Sequence, residues 1–197
     1  MKKVFQYILI ALSVMAFLPS CSDSDDEPKA GTEETDDTEE TPDGEAQKIL
    51  VAYFSVTGTT RRLAEQIASV TKADIFRIEA AQPYAANPYD DSDRIQNESY
   101  NDLRPATASY PDNITDYDVI FVGSPIWWHN PAMVVCTFLE HYDLKGKTIV
   151  PFFTYGATTY LQQSVAKIYE VTPGSVHLAT YTGGSVEEWL RNIEIIE

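Results

Sequence analysis

The chain has 197 residues, which suits one ordinary domain with room for additional segments, and its 30 acidic and 14 basic side chains give a formal charge of −16. The charge is unevenly distributed, because residues 22–47 carry −11 and residues 48–197 only −7. A basic patch is the electrostatic signature of nucleic-acid binding, and the sequence has none, so we expect no nucleic-acid partner. The spacing of histidine, cysteine and acidic residues is not typical of a metal site either, and we predict no metal.

The N-terminal segment has the pattern of a secretory signal. A short basic start precedes an apolar run over residues 4–17, which is too short for a stable membrane-spanning helix but suits a signal-peptide core. The run ends in a Leu-Pro-Ser-Cys sequence that resembles the lipobox of bacterial lipoproteins, whose cysteine is acylated and becomes the mature N-terminus. We therefore predict residues 1–21 to be a lipoprotein signal peptide and Cys21 to anchor the mature protein to a membrane of the cell envelope.

Residues 22–47 consist largely of Asp, Glu, Thr, Pro and Gly, which predicts a disordered acidic linker. Its first residues resemble the acidic export signal of lipoproteins that reach the outer face of the outer membrane, and both that surface and the periplasm remain expected locations. If Cys21 is lipidated, Cys136 has no cysteine left to pair with. Cys136 lies on the apolar face of a predicted helix, so we interpret it as a core residue.

From residue 48 onward, nearly continuous apolar runs alternate with segments of helical periodicity. In chain order, the alternation predicts strand 48–54, helix 59–70, strand 74–79, helix 93–103, strand 118–122, helix 132–142, strand 148–153, helix 158–169, strand 176–181 and helix 186–195. Short buried strands alternating with helices are typical of a parallel sheet covered on both faces. Residues 48–197 are therefore predicted to form one α/β domain with its ligand site at the carboxyl ends of the strands.

The loop after the first predicted strand leads directly into a helix and is rich in hydroxyl groups. It reads Ser55-Val56-Thr57-Gly58-Thr59-Thr60. Backbone N–H groups at a helix start, with neighbouring hydroxyls, favour an anion. The loop lacks the Gly-Lys-Ser/Thr end of a nucleoside triphosphate site and the G-x-G-x-x-G dinucleotide fingerprint, which favours the terminal phosphate of a mononucleotide. The alternative is a Ser/Thr-rich helix cap without a ligand, and Arg61 and Arg62 are interpreted as solvated.

Two further loops end at the same predicted edge of the sheet. The loop after the third strand contains Pro125, Ile126, Trp127 and Trp128. Two adjacent tryptophans at a strand end offer a flat wall to a planar ring, with a packing plug or partner-binding patch as the alternative. The loop after the fourth strand contains Thr154, Tyr155, Gly156 and Ala157. Its small residues let backbone amides approach the edge of a ligand.

Together these loops resemble the flavodoxin family, whose phosphate motif is Ser/Thr-x-Thr-Gly-x-Thr. They resemble in particular the flavodoxin-like proteins with a Pro-Ile-Trp-Trp second loop followed by a Thr-Phe-Leu-Glu helix, here residues 137–140. The resemblance covers about 150 residues from Lys48. It implies a flavodoxin-like three-layer sandwich whose five-stranded parallel sheet has the order 2-1-3-4-5. It also implies FMN as cofactor, with residues 55–60 holding the phosphate, residues 125–128 lining the isoalloxazine ring and residues 154–157 facing its pyrimidine edge.

The same resemblance implies electron transfer through FMN to a redox partner that the sequence does not identify. An FMN-dependent NAD(P)H:quinone-type reductase and a surface binding module without flavin are the alternatives. Two features remain open at this stage. His129 could donate a hydrogen bond to a flavin or substrate, and the tyrosine-rich stretch over residues 84–110 could form either a wall of the site or a protein contact surface.

Overall fold

Strands and helices alternate along the chain as predicted. The computed structural model describes residues 47–156 and 158–197, so the predictions for residues 1–46 and for Ala157 fall outside the described residues. The elements are β1 (Ile49–Tyr53), α1 (Thr59–Thr71), β2 (Asp74–Arg77), α2 (Ser92–Tyr100), β3 (Val119–Trp127), β4 (Asn130–Pro131), α3 (Met133–Glu140), β5 (Thr148–Thr154), α4 (Leu161–Glu170), β6 (Val176–His177) and α5 (Val186–Asn192). Short 3-10 turns occupy Pro88–Asp91, Ile114–Asp116 and Thr158–Tyr160.

The sheet has the strand order β2-β1-β3-β5-β6, and neighbouring strands along this path are parallel. The short strand β4 pairs only with the end of β3, and it does so antiparallel. When β4 is set aside, the five parallel strands follow the predicted order 2-1-3-4-5. The predicted fold class, a flavodoxin-like α/β sandwich, is confirmed.

Alternate residues of each strand face opposite sides of the sheet and build two cores. In β1, Leu50 and Ala52 face the side covered by α2, α3 and α4, whereas Val51 and Tyr53 face the side covered by α1 and α5. All four residues are at most 5% exposed. In the part of the chain that the structure describes, no helix combines the length and the apolar character that a membrane crossing requires.

The bounds of three strands differ from the prediction by more than one residue, and the number of neighbouring strands explains all three differences. β3 extends to Trp127 because β1 and β5 flank it and β4 pairs with its final residues. β2 ends at Arg77 and β6 at His177, earlier than predicted. Both are edge strands with a partner on one side only, so fewer ladder hydrogen bonds hold their ends. Residues 178–181, predicted as strand, contribute one isolated bridge, from Tyr181 to Phe152.

The register of the strands brings the three predicted loops together. Tyr53 at the end of β1 is level with Gly123 of β3, and Pro125 of β3 is level with Thr154 at the end of β5. The segments that follow β1, β3 and β5 therefore meet at one carboxyl edge of the sheet.

Candidate functional site

A cavity of about 700 Å³ opens at this carboxyl edge. It is bordered by nine of the residues predicted from the sequence, namely Thr57, Thr59, Pro125, Ile126, Trp127, Trp128, Thr154, Tyr155 and Gly156. Its volume lies within the range of about 300–1,000 Å³ that is usual for small-molecule sites. Thr60 does not line the cavity, because it is buried and its hydroxyl lies 2.8 Å from that of Thr154. Thr60 thus joins the first loop to the third.

The first loop leaves the start of α1 open to an anion. Gly58 has a φ of +85° and immediately precedes the helix, which has neither a side-chain cap nor an acidic residue in its first turn. The first N–H groups of a helix have no partner within the helix and carry partial positive charge. The N–H of Gly58 donates to Oγ of Ser55 at 3.1 Å, which fixes the bend of the loop. The exposed hydroxyls of Thr57 and Thr59 lie 3.3 Å apart.

A second, smaller cavity of about 130 Å³ lies against the same loop and is bordered by Ser55, Val56, Thr57, Gly58, Arg61 and Arg77. The two arginines place positive charge at this end of the site; the sequence analysis interpreted Arg61 as solvated and did not consider Arg77. Arg61 pairs with Glu65 at 3.6 Å and Arg77 with Glu79 at 3.3 Å. Because both guanidinium groups are about half exposed, solvent weakens their effect. Arg77 lies at the carboxyl end of β2, and the predicted strand order places β2 beside β1. The sequence could therefore have indicated Arg77 as a neighbour of the first loop.

Trp127 and Trp128 occupy different environments. Trp127 ends β3 and packs edge-on against Phe54 and Tyr84, with ring centroids 5.4 and 5.1 Å apart. Trp128 is 39% exposed at the mouth of the cavity. Trp127 therefore serves both as a packed residue and as cavity wall, whereas Trp128 offers an exposed aromatic surface.

The sequence analysis treated residues 123–131 as a loop, but the structure makes them the end of β3 and a tight hairpin. Trp127 pairs with Asn130, which leaves a turn of two residues, Trp128 and His129. Their φ angles are +46° and +76°. A two-residue turn with positive φ at both positions normally uses Asn-Gly, and each larger side chain in this region costs on the order of 1–3 kcal/mol. The hairpin turn is therefore strained.

Part of the tyrosine-rich stretch forms a wall of the cavity. It contributes Asn87, Pro88, Tyr89, Ser92 and Ile95. Tyr89 is 86% exposed at the rim.

Behind this wall lies a buried polar network. The hydroxyl of Tyr84 donates to Glu98 at 2.6 Å, and Nε of Arg94 donates to the other carboxylate oxygen at 2.8 Å. The guanidinium of Arg94 also lies over the Tyr84 ring, 3.9 Å from its centroid. Burial and the hydrogen bond to Glu98 raise the pKa of Tyr84 far above its usual range, so the phenol stays protonated. The network fixes α2 against the aromatic wall.

His129 and Tyr160 complete the cavity, with rings stacked at 3.7 Å. Among the described residues that line the cavity, none has a carboxylate, ammonium or guanidinium group. The environment thus suits an uncharged planar ring better than an ionic group. Across residues 47–156 and 158–197, no group of three or more His, Cys, Asp or Glu side chains could hold a metal ion.

A sequence model of the family described as Flavodoxin matches residues 48–193. The chain belongs to the flavodoxin family. No curated protein matches the chain significantly.

Solved structures with the flavodoxin fold resemble the chain over most of its length. A candidate flavoprotein from Bacteroides eggerthii is 37% identical, with 74% of this chain and 97% of that chain covered and a TM-score of 0.64. A candidate flavoprotein from Bacteroides uniformis is 32% identical, with coverages of 76% and 99% and a TM-score of 0.61. A flavoprotein from Lactobacillus acidophilus, solved in complex with FMN, is 24% identical, with coverages of 73% and 99% and a TM-score of 0.62.

The Ser/Thr-x-Thr-Gly-x-Thr motif of this flavodoxin-family chain divides between the two cavities. Ser55, Val56 and Gly58 border the small cavity, Thr59 borders the large one, and Thr57 borders both. The sequence analysis left open whether the tyrosine-rich stretch, which includes residues 87–95, forms a wall of the site, and it missed Tyr160. Tyr160 could have been predicted as a cavity residue, because it lies just after the third loop.

The remaining candidates lie away from the cavity. Cys136 is fully buried on α3, and burial raises the pKa of its thiol to about 12, so it is a core residue rather than a nucleophile. His141 stacks on Tyr110 at 3.8 Å. His177 stacks on Tyr169 at 4.0 Å.

Proposed function

We propose that the domain binds FMN at the carboxyl edge of its sheet and transfers electrons through it. The observation that carries the proposal is the meeting of an uncapped helix start, at Gly58, with an uncharged aromatic cavity of about 700 Å³. FMN combines an anionic phosphate with a planar ring system, and the two halves of the site have the matching chemistry. The presence of FMN in the Lactobacillus acidophilus flavoprotein, which has the same fold, supports the assignment.

Different residues would bind the phosphate and the ring system of the cofactor. The N–H groups at the start of α1 and the hydroxyls of Thr57 and Thr59 bind the phosphate. Trp127 and Trp128 would hold the ring system and exclude water from it, together with residues 154–156, which border the same cavity. FMN, when bound, supplies the redox chemistry. The protein positions the ring and sets the polarity of its surroundings.

A tryptophan-fluorescence titration with FMN tests the proposal. The chain has three tryptophans, and Trp189 lies in the core on the other face of the sheet, where its indole N–H donates to the Ala179 carbonyl at 3.0 Å. We expect FMN to quench the wild-type protein and a Trp189→Phe variant saturably. A variant with both Trp127→Phe and Trp128→Phe should lose most of the quenching. A colourless protein whose fluorescence does not respond to FMN would leave the flavin-free binding module as the function.

A second candidate is an FMN-dependent NAD(P)H:quinone-type reductase. The exposed aromatic rings at the cavity rim favour it, because Tyr89 and Trp128 offer flat surfaces for a planar acceptor beside the cofactor. Mixing the FMN-loaded protein with NADH or NADPH distinguishes the two candidates. An electron carrier should keep its yellow colour for minutes in the absence of a reductase. Loss of the colour within seconds, followed by recovery on addition of a quinone, would replace the carrier with the reductase.

We further propose that the protein is lipid-anchored in the cell envelope, either in the periplasm or on the outer-membrane surface. The proposal rests on the lipobox-like sequence that ends at Cys21, outside the described residues, and on the acidic segment over residues 22–47, of which the structure describes only Gln47. This segment would act as a spacer between the membrane and the flavin domain.

A further inference from the structure

Two buried serines hold the strained hairpin turn from behind. Ser99 on α2 donates its hydroxyl to the carbonyl of Trp128 at 2.6 Å, and Ser164 on α4 donates its hydroxyl to the carbonyl of His129 at 3.2 Å. Ser99 is 5% exposed and Ser164 is fully buried. Each carbonyl of the turn is therefore bonded by a different helix, and each helix lies far away in the sequence.

Neighbouring groups strengthen this arrangement. The side-chain amide of Asn130 donates to the hydroxyl of Ser99 at 3.0 Å, and its oxygen accepts from Gln163 on α4 at 3.4 Å. The His129 ring stacks on Tyr160, which immediately precedes α4. The backbone of the turn is thus held by α2 and α4, and the His129 ring by the residue that precedes α4.

The direction of the serine hydroxyls has a specific consequence. Serines within helices often bond a carbonyl of their own helix, whereas both of these serines bond the turn. A strained backbone persists only where its surroundings impose it, and neither Trp128 nor His129 favours positive φ by itself. The buried hydroxyls therefore stabilise a backbone conformation that Asn-Gly would adopt without such support.

We infer that Ser99 and Ser164 are positioning residues that impose the hairpin turn, so that Trp128 and His129 line the cavity before any ligand binds. Because a site that is already ordered loses less entropy on binding, the two serines raise the affinity of the cavity for its planar ligand. The inference rests on the proposed function for the identity of that ligand. The arrangement of the turn itself exists without the ligand and can be measured without it.

Hydrogen exchange in the full-length protein without FMN tests the arrangement of the turn. We expect amides within residues 126–132 to exchange faster in Ser99→Ala and in Ser164→Ala than in the wild type. Ser175→Ala is the matched control, because its hydroxyl donates to the Leu144 carbonyl at 2.8 Å, outside the cavity. Unchanged exchange of the hairpin in both test variants would overturn the inference.

Titration with FMN tests the consequence for binding. Loss of either hydroxyl should weaken FMN binding about tenfold, as expected when a buried hydrogen bond is lost, whereas Ser175→Ala should stay within about twofold of the wild type. In a His129→Gly background, Ser164→Ala should change the affinity less than about twofold, because glycine adopts positive φ without support. An equal weakening by Ser164→Ala in both backgrounds would contradict the positioning role.

Two controls keep the result decisive. Circular dichroism checks that each variant is folded. Ser164→Cys, which is similar in shape to serine and somewhat larger but donates weakly, replaces Ser164→Ala if the alanine variant does not fold. Ser164→Cys should then show the faster exchange of the hairpin amides that is expected of Ser164→Ala. If the wild-type protein itself does not bind FMN, the proposed function fails, while hydrogen exchange still decides whether the serines hold the turn.

Discussion

Gly58 is the residue on which the proposed phosphate site depends most directly. Its φ of +85° is easily reached by glycine and strained for any residue with a side chain. An added Cβ would meet only the Arg61 guanidinium, at 3.7 Å, so space is not the constraint. The constraint is the backbone conformation that directs the loop into α1.

Gly58→Val is therefore expected to weaken FMN binding at least about tenfold, because strain of on the order of 1–3 kcal/mol reorients the N–H groups at the helix start. Fluorescence titration measures this change. Gly146→Val is the matched control, since Gly146 has a φ of +78°, has open space around it and lies before β5, at the opposite end of the sheet. It should lower stability and leave FMN affinity unchanged. Equal FMN affinity in Gly58→Val and the wild type would place the phosphate elsewhere.

His177 makes the stability of the fold depend on pH. Nε2 of its ring lies 2.8 Å from the Thr172 hydroxyl, and burial lowers its pKa below the ordinary 6.5. The unfolded chain therefore takes up a proton first as the pH falls. The contribution of His177 to stability is complete above about pH 6.5 and declines as the pH falls toward the lower pKa of the folded state.

We expect the wild type to lose more free energy of unfolding than His177→Gln between pH 8 and pH 5.5, since glutamine does not titrate. Urea denaturation at the two pH values measures both proteins. Carboxylates contribute similarly to the two proteins, so the difference between them reports the histidine. Identical losses would show that His177 is no more difficult to protonate in the folded state than in the unfolded state.

At the level of elements, β3 determines where the site forms. It lies between β1 and β5, and Gly123 sits level with Tyr53 on one side and Phe152 on the other. A Cβ at Gly123 would overlap the ring of Phe152. The absence of a side chain there lets a large aromatic residue pack over the central strand.

Gly123→Ala should accordingly destabilise the protein by about 1–3 kcal/mol through overpacking. Gly156→Ala provides the comparison, because a Cβ at Gly156 meets nothing within 4 Å, and its effect should stay within about 0.5 kcal/mol. Urea denaturation gives both values. Similar free energies of unfolding for the two variants would mean that the Phe152 ring moves aside at no cost.

At the level of the whole molecule, the negative charge separates into two parts with different roles. Residues 22–47 carry −11, and the domain that follows carries −7. An acidic surface that steers a redox partner can draw only on the smaller number. The larger number belongs to the predicted linker.

The proposed anchor leads to a prediction about the location of the whole protein. Cys21→Ala should move the protein from the membrane fraction to the soluble fraction after cell lysis, because the remaining sequence offers only the short apolar run over residues 4–17. Immunoblotting of the two fractions measures the change. Wild-type protein should stay with the membrane after a high-salt wash, which removes electrostatically bound proteins. Continued membrane association of the variant would argue against lipidation.

The order of the parallel strands could be predicted from the resemblance to the flavodoxin family, and the alternation of strands and helices and the three loops at the carboxyl edge from the residues themselves. These features depend on local patterns, such as the apolar run that becomes β1 and the glycine that opens α1. The family motif could also be recognised from a local pattern, because its residues are consecutive in the chain.

The tertiary structure alone decided which side chains surround the cavity and what holds them. Arg77 joins the first loop only because β2 lies beside β1, and residues 87–95 form a wall only because the polar network around Glu98 fixes α2. The strained turn at Trp128 and His129 opposes the local preference of both residues, so no local pattern predicts it. It exists because hydroxyls 29 and 35 positions away in the chain bond its carbonyls, and such long-range contacts arise only once the helices have packed onto the sheet.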